Sequence, residues 1–396
     1  MNNRKSILIF GVGELQCSII RHAKLKGLYT VGIDPCAEAV CRGECDAFEV
    51  VGGQDFEGTL DVAKKYNVSA IVTVATDKPL VMMARVAAEL KLPFFSIETA
   101  RWSTDKFQMK RRFIEGGVPC ARGRLISKTE DAAGLEFPII VKPRDNSGSR
   151  GVKLCRSQEE LQGCLNEAFE VSKLDSVLVE EVIEGQEYSI ESLHYEGKTE
   201  VLQFTEKKTT EFPYNVELGH RQPANLTDGQ KQAIREIIGK IAACMKFENC
   251  PSHTELKINN RGIFVIETSP RLGGDYITST LVPLSTGINM ENCLLDIAMG
   301  QPVDVMTGCV DRASGVCFFN LPEGIVKRIN PQIKEVSSWS GVKHFNLKLH
   351  EGDQVNKITS SLNRYGEFIV EGDGRKEVDE RLEEYEKVIF SYINIC

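Results

Sequence analysis

The sequence predicts a mixed α/β and α+β fold: a domain with a parallel sheet, followed by α+β units. From residue 5 to about 97, apolar runs such as SILIF, YTVGID, AIVTVA and PFFSI alternate with amphipathic stretches such as LDVAKKYNV and LVMMARVAAELKL. This alternation is typical of βαβ units. Strands predominate between 176 and 206. Because a chain of 396 residues is longer than one domain with a single core, two or three packed domains are expected.

The later segments predict individual elements in order. Residues 101–120 predict one helix that stops at Gly116-Gly117. FPIIVKPRDNSGSRGVKL predicts strand, loop and strand, and EELQGCLNEAFEV predicts a helix. A second helix follows at DGQKQAIREIIGKIAACM, and the runs SHTELKI and GIFVIET predict two strands joined by the turn NNRG. The chain ends in a charged helix, VDERLEEYEKVIFSYI.

Composition restricts the class of protein. The net charge of −8 disfavours nucleic acid as a partner, and no uncharged apolar stretch reaches the ~18 residues of a membrane span. A cytoplasmic protein without a membrane partner is therefore expected. The 13 cysteines are expected mostly as small, buried apolar residues of a reducing compartment. Cys36, Cys41 and Cys45 lie close together, but their spacing is not that of a common zinc ribbon.

The first turn, GVGELQ, allows two interpretations. Gly11 and Gly13 after a strand, with Asp34 after the next strand, resemble a dinucleotide-binding turn. Gln16, however, stands where the third glycine of that fingerprint would fall. The turn is therefore expected either to bind a pyrophosphate or to line a substrate pocket.

A second glycine-rich loop follows a strand that ends near Lys142. Glycines allow backbone N–H groups to face an anion, and hydroxyl and cationic side chains add donors. The loop residues that could bind phosphate are Ser147, Gly148, Ser149, Arg150 and Gly151. The alternative is an ordinary hairpin turn, which Gly and Ser also favour.

Carboxylates are concentrated in two strand regions. VLVEEVIEGQEYSIE holds Glu180, Glu181 and Glu187, which either accept hydrogen bonds from ribose and an amino group or form a solvated strand edge. Glu255 and Glu267 lie in the two strands around NNRG, so antiparallel pairing would present both on one face. Such oxygen ligands suit Mg²⁺, and Arg271 follows closely enough to stabilise a transferring phosphoryl group.

Together, in this order, these motifs resemble the ATP-grasp superfamily, which includes biotin carboxylase, carbamoyl phosphate synthetase and many carboxylate–amine ligases. The resemblance implies a Rossmann-like pre-ATP-grasp domain at 1–100 and an ATP-grasp domain at 101–300, whose mobile lid spans about 120–185. A small biotin-carboxylase-like C-terminal lobe would occupy 301–396. Relatives are often dimers, which leaves a homodimer as an expectation.

The resemblance also implies roles for individual residues. Lys106 and Lys142 would contact ATP phosphates, and residues 147–151 would close over them. Adenine would be held by Glu180, Glu181, Val182 and Ile183, and the ribose by Glu187. Glu255 and Glu267 would bind Mg²⁺, for which Mn²⁺ could substitute. Ser269 stands where the family often has Asn, so the third metal ligand is open.

HTE-(x)11-E followed by RLGGD resembles the amino-acid ligases that make dipeptides. This implies an ATP-dependent amide ligase that acts through an acyl phosphate and takes a small carboxylate and a small amine as substrates. Its candidate catalytic residues are Arg271, His253 and His220. The residues expected around the substrates are Gly11, Gly13, Glu14, Asp77, Gly273, Gly274 and Asp275. The alternatives are a purine-pathway ligase of the glycinamide ribonucleotide synthetase type, a bicarbonate-activating enzyme and a non-catalytic ATP-binding regulator.

Overall fold

The N-terminal region of the computed structural model, which describes residues 4–127, 134–146, 150–211 and 214–396, is built on a four-stranded parallel sheet. Its strands are β1 (Ser6–Phe10), β2 (Tyr29–Asp34), β3 (Ala47–Val50) and β4 (Val68–Val72), and its helices are α1 (Cys17–Leu25), α2 (Phe56–Lys65) and α3 (Leu80–Leu90). The strand order is β3-β2-β1-β4, with every neighbouring pair parallel. The predicted parallel sheet is confirmed.

One predicted strand of this region is wrong. PFFSI forms no strand; Ser96 instead caps helix α4 (Ile97–Thr104) by accepting a hydrogen bond from the backbone N–H of Thr99. The fourth strand is β3, whose residues are half-buried or exposed and therefore lack the apolar signal of a core strand. The apolar run at PFFSI is explained by Phe95, which is buried in the core beside the sheet.

The single helix predicted over 101–120 is also wrong, because it is two helices. α4 ends at Thr104, and α5 (Lys106–Glu115) begins directly after Asp105, whose carboxylate accepts hydrogen bonds from the backbone N–H groups of Phe107 and Gln108. Asp105 has extended backbone angles that a continuous helix does not allow. Lys106 is thereby placed in the first turn of a helix.

A small separate sheet lies within the range 120–185, for which a lid stays a prediction. It contains β5 (Gly123–Ile126), β6 (Ile139–Pro143), β7 (Lys153–Cys155) and β8 (Val177–Glu181), and α6 (Gln158–Val171) packs on it. The strand order is β5-β8-β6-β7, and all pairs are antiparallel. Its apolar core includes Ile126, Val141, Leu161 and Val177.

The largest sheet joins the central and C-terminal regions. Its strands are β9 (Gln186–Tyr195), β10 (Lys198–Thr209), β11 (Glu217–Gln222), β12 (Cys250–Asn259), β13 (Gly262–Ser269), β14 (Ala313–Phe318), β16 (Val342–Leu347) and β18 (Gly366–Gly372). Their order is β13-β12-β9-β10-β11-β14-β18-β16. The sheet runs without interruption from the site-bearing strands into the region after residue 301.

The remaining elements cover this sheet. The helices are α7 (Asp228–Met245), α8 (Val282–Thr286), α9 (Met290–Ala298) and α10 (Arg375–Ser391). β15 (Gly324–Ile329), β17 (Gln354–Val355) and β19 (Ile393–Ile395) form a third antiparallel sheet. None of the helices within the described residues is long and apolar enough to cross a membrane.

The cysteines only partly follow the expectation from composition. Cys155, Cys244, Cys250, Cys293 and Cys317 are buried free thiols, as expected. Cys41, however, is bonded to Cys17 across 24 residues, and Cys36 is exposed. The pair fastens the start of α1 to the loop before β3, where Cys41 N–H also donates to the Val12 carbonyl at 2.9 Å.

Candidate active site

The two acidic residues predicted to share a face do so. In the β12–β13 hairpin Glu255 lies directly opposite Glu267, and Asn259 pairs with Gly262 across the predicted turn. Lys207 from β10 places its Nζ 2.6 Å from Glu255 Oε1, and Lys106 from α5 forms an ion pair with Glu267. Two lysines from different elements therefore neutralise two carboxylates that would otherwise repel each other.

Burial and charge act in opposite directions on these groups. Burial would raise the pKa of Glu255, but Lys207 and His253 hold it well below its usual value. Burial would likewise lower the pKa of Lys207, but Glu187, Glu255 and Glu217 raise it well above its usual value. Both groups are therefore ionised at neutral pH, and the site is a dense network of fixed charges.

This donor set fits a divalent cation. Glu255 and Glu267 both line a cavity of about 120 Å³, together with Lys106 and Lys142. Carboxylate oxygens are the ligands that Mg²⁺ prefers, and each carboxylate already attracts an ammonium group at this position. Ser269 donates instead to Asp77 Oδ1 at 2.5 Å, so a role as third metal ligand stays a prediction.

The same cavity has a second charged wall, which includes Lys142 and Glu180. Glu180 is buried between two lysines: its Oε2 lies 2.5 Å from Lys142 Nζ and its Oε1 lies 2.7 Å from Lys110 Nζ. Burial lowers the pKa of Lys142, and burial would raise that of Glu180, which the two lysines instead lower. Lys110 was not predicted, although its position four residues after Lys106 on a helix could have indicated it.

The other predicted nucleotide residues surround this cavity. Glu181 Oε2 lies 3.3 Å from Nη2 of Arg122 at the edge of the strand. The carboxylates of Glu180 and Glu181 therefore both form ion pairs within the protein. Val182 and Ile183 follow β8 and line the cavity, as does Glu187. Glu187 lies 2.7 Å from Lys207 Nζ. An adenine contact at 180–183 would therefore fall on the backbone.

The glycine-rich loop is described only at its ends, because Ser147, Gly148 and Ser149 lie outside the described residues. Arg150 donates to Asn146 Oδ1 at 2.7 Å and lines the cavity. Gly151 has a positive φ of 74°, and a Cβ there would lie 2.5 Å from Val171 Cγ2. Position 151 therefore requires glycine for both backbone and packing reasons.

A larger cavity of about 1100 Å³ connects the N-terminal turn to the carboxylates. The predicted site residues that line it are Gly11, Gly13, Asp77, Lys106, Arg150, Glu267 and Ser269. Arg271 is held beside it by Asp77, with Nε 2.9 Å from Oδ1 and Nη2 3.2 Å from Oδ2. Glu14 is exposed at the start of a short 3₁₀ turn. The chain thus brings residues nearly 200 positions apart to one cleft.

The structure shows how the first turn is built. Gln16 is buried; its Oε1 accepts from Gly13 N–H at 3.1 Å and its Nε2 donates to the Val74 carbonyl at 2.8 Å. Asp34 accepts from the backbone N–H of Val12 at 2.9 Å. A Cβ on Gly11 would lie 3.3 Å from Gln16 Cδ. The Gln16 side chain therefore fills the space beside the glycines and occupies the Gly13 N–H, a donor that a bound pyrophosphate would otherwise contact.

His253 belongs to a buried pair that the sequence did not indicate. Its Nδ1 lies 2.7 Å from Oε1 of Glu191, a fully buried residue of β9, and its Nε2 lies 3.5 Å from Glu255 Oε1. Burial would lower the pKa of His253, but Glu191 and Glu255 raise it to about 9. Gly273 packs against this pair: a Cβ on it would lie 2.8 Å from His253 Nδ1.

His220 lies in a different cluster. It is buried on β11 with its Nε2 3.5 Å from Asp275 Oδ2, and it faces the edge of Phe318. Asp275 is also bound by Arg364, which reaches in from the C-terminal region. Neither Arg364 nor its second partner, Glu217, was predicted, because only folding places residue 364 beside residue 275.

Two family models match parts of the chain. Residues 135–279 match the family model of the ATP-grasp domain, and residues 317–389 match that of L-amino acid ligase C-terminal domain 2. The chain contains an ATP-grasp domain and an L-amino acid ligase C-terminal domain. The predicted family resemblance is thereby confirmed. The strand β12, both candidate metal ligands and His253 all lie within the ATP-grasp domain.

The sequence relatives include two ligases. The chain is 26% identical over 275 residues to an L-arginine-specific L-amino acid ligase of Bacillus subtilis, an alignment that covers 67% of this chain and 66% of that protein. It is 26% identical over 282 residues to an alanine–anticapsin ligase of Bacillus amyloliquefaciens, covering 64% of this chain and 59% of the relative. The matches thus span less than two thirds of either relative.

The fold is shared with a solved amino-acid ligase. The L-amino acid ligase of Bacillus licheniformis superimposes with a TM-score of 0.85 at 21% identity, over 100% of this chain and 99% of that one. At this identity the comparison concerns the fold: a parallel N-terminal sheet followed by an antiparallel ATP-grasp core. The predicted fold class is confirmed.

Proposed function

We propose that this protein is an ATP-dependent carboxylate–amine ligase that joins two amino acids or closely related small molecules through an amide bond. The observation that carries the proposal is the Glu255–Glu267 pair on adjacent strands. Lys106 and Lys207 face this pair, and both glutamates line a cavity together with Lys106 and Lys142. A regulator that only bound nucleotide would not need such a set of opposed charges. The ligase relatives support the same activity.

In the proposed reaction, an oxygen of the substrate carboxylate attacks the γ-phosphorus of ATP and the bond to ADP breaks. The amine then attacks the carbonyl carbon of the acyl phosphate, a proton leaves the amine, and phosphate departs. Lys106 and Lys142 would hold the phosphates in line, and Glu255 and Glu267 would hold Mg²⁺, which when bound neutralises charge on the transferring phosphoryl group. Arg271 would orient the reacting carboxylate.

The remaining parts of the proposal concern the surroundings of the site. The lid sheet would close over ATP and exclude water that would hydrolyse the acyl phosphate. The protein would have three domains, at residues 1–100, 101–300 and 301–396. It would act in the cytoplasm, accept Mn²⁺ in place of Mg²⁺ and form a homodimer. Sedimentation velocity measures directly whether the protein is a homodimer.

The test of the proposal is ADP release with Mg-ATP across a panel of amino-acid pairs, with the products analysed by mass spectrometry. We expect one pair to stimulate ADP release and to give a product lighter than the two amino acids by one water. Turnover that requires bicarbonate or a ribosylamine phosphate, without a product from any pair of amino acids, would move the protein to another branch of the superfamily.

The metal assignment makes a first prediction. Glu267→Gln removes one of the two carboxylates, and we expect it to lower Mg²⁺-dependent ADP release by at least about 100-fold, because charge neutralisation at the phosphoryl group is a main source of catalysis. Glu371→Gln is the matched control, since Glu371 is an ion-paired residue at the other end of the same sheet. Near-normal turnover in Glu267→Gln would disprove the assignment.

A further inference from the structure

One arginine of the C-terminal region is buried in the centre of the molecule. Arg364 follows a short 3₁₀ turn and is 7% exposed. Its Nη1 and Nη2 lie 2.8 and 2.9 Å from the two oxygens of Asp275, and Nη2 also lies 3.0 Å from Glu217 Oε2. The guanidinium carbon lies 3.8 Å from the centroid of the Phe318 ring. This fork and stacking arrangement specifies arginine and no other cation.

The partner of Arg364 belongs to a loop that several parts of the protein hold. In the segment 271–276, Arg271 is bound by Asp77 of the N-terminal region and Gly273 packs against β9 and β12. Asp275 and Tyr276 have positive φ values of 51° and 63°. Non-glycine residues adopt this conformation rarely and are found in it mainly where surrounding contacts impose it. Here those contacts come from the C-terminal region, through Arg364 before β18 and Glu367 within it.

A second C-terminal contact fixes the adjacent residue. The Tyr276 hydroxyl donates to Glu367 Oε1 at 3.0 Å, and the same oxygen accepts from Asn346 Nδ2 at 3.0 Å. Arg364 and Glu367 thus hold two consecutive strained residues. Arg364 sets the direction of the Asp275 carboxylate, because it donates a hydrogen bond to each of the two carboxylate oxygens.

Next to this contact, buried polar atoms are left without partners. His220 is 1% exposed, yet neither ring nitrogen has a hydrogen-bond partner among the described residues. Its Nε2 lies 3.5 Å from Asp275 Oδ2. Arg364 Nε likewise has no hydrogen-bond partner among the described residues. Because buried polar groups are normally satisfied, two such groups on either side of one carboxylate point to a ligand that completes the set.

We infer that Arg364 is a positioning residue for the amine-transfer half of the reaction. It acts through Asp275, whose carboxylate it holds against His220, so that this pair binds and orients the incoming amine. The inference rests on the proposed ligase function and deepens it. It assigns to the C-terminal region a part in amide formation that is separate from the ATP chemistry at Glu255 and Glu267.

The experiment compares two partial reactions in Arg364→Lys, which keeps the charge but loses the two-pronged contact. Acyl phosphate formation is followed as hydroxamate in the presence of hydroxylamine, and amide formation is followed with the most active amino-acid pair of the panel. We expect hydroxamate to form at close to the wild-type rate, while the ratio of amide formed to ADP released falls about 100-fold, as for a displaced reactant. The KM for the amine should rise, and that for ATP should stay unchanged.

Arg375→Lys is the matched control. Arg375 is also a largely buried arginine of the C-terminal region that contacts two carboxylates, those of Glu206 and Asp379, but it lies away from the 271–276 loop. We expect this variant to keep the wild-type ratio of amide to ADP. If both variants lose amide formation equally, Arg364 has a structural role only and the inference is overturned.

Further outcomes separate this inference from the proposed function. A wild-type protein that releases no ADP with any amino acid overturns the proposed function and the inference with it. A wild-type ligase whose Arg364→Lys variant retains amide yield overturns only the inference. If Arg364→Lys does not fold, Asp275→Asn breaks the same contact from the other side, and it must show the same loss of amide relative to hydroxamate.

Discussion

At the scale of single residues, the side chain of Gln16 decides the character of the first turn. It stands in place of the third glycine of a dinucleotide fingerprint, and it binds the turn to the segment just after β4 through the Val74 carbonyl. A motif of two glycines and a distant Asp is therefore compatible with a substrate cleft. The identity of one residue, together with its burial, distinguishes the two uses of the turn.

The structural role of Gln16 can be measured. We expect Gln16→Ala to lower the free energy of unfolding by about 2 kcal/mol, because it leaves a buried N–H and a buried carbonyl without partners. Gln54→Ala is the control, since Gln54 also donates to a backbone carbonyl, that of Lys78, but is exposed. Urea unfolding of both variants measures the difference, and equal values would show that the Gln16 contacts contribute nothing.

At the scale of elements, strand pairing positions the chemistry. β12 lies between β9 and β13, so Glu255 has Ser189 on one side and Glu267 on the other. A shift of one residue between β12 and β13 would place the two glutamates on opposite faces of the sheet. The break between α4 and α5 has a comparable effect, because it directs Lys106 to the same face of the sheet.

The β9–β12 pairing also predicts a pH dependence of stability. His194 of β9 bonds to Ser252 of β12 at 2.8 Å, and burial lowers its pKa from 6.5 to about 4. Between these values the unfolded chain binds more protons than the folded chain, so His194 makes stability fall as the pH is lowered through this window.

The contribution reaches at most about 3 kcal/mol near pH 4. We expect His194→Gln to remove it, which makes the free energy of unfolding less dependent on pH than in the wild type. Urea unfolding above pH 6.5 and again near pH 4 measures both slopes. Equal slopes in the two proteins would contradict the effect of burial on His194.

At the scale of the whole molecule, ion pairs between distant regions shape the cleft. The Asp77–Arg271 pair links the end of the N-terminal sheet to the loop after β13. Both side chains are less than one quarter exposed, so the pair is only weakly screened by solvent. The loss of one partner would leave a charge with little hydration.

We expect Asp77→Ala to destabilise the protein by about 3 kcal/mol, because the Arg271 guanidinium loses its neutralising partner in a largely buried position. Lys26→Ala provides the comparison. It removes the more exposed ion pair between Lys26, just after α1, and Asp296 of α9, and it should lower the free energy of unfolding by less than about 1 kcal/mol. Thermal denaturation of both variants decides the question. Similar melting temperatures would show that Asp77 is dispensable for stability.

The sequence by itself determined the local parts of this protein. Apolar periodicity and caps located most helices and strands, and the hairpin around NNRG was predicted together with its paired glutamates, because a short turn leaves few alternatives for antiparallel register. The sequence did not predict β3, because its residues are half-buried or exposed and lack the apolar pattern of a core strand. It did not predict the break at Asp105 either, because the helical charge spacing continues across the cap residue.

Tertiary structure alone decided which charges meet. Lys110 and Lys142 converge on Glu180, Lys207 reaches Glu255, and Arg364 reaches Asp275 across 89 residues. The sequence shows that these residues are charged, but a charge attracts any opposite charge and carries no information about its partner. The packing of the sheets and helices selects the pairs, because a buried charge is stable only where the fold places its partner within hydrogen-bond distance.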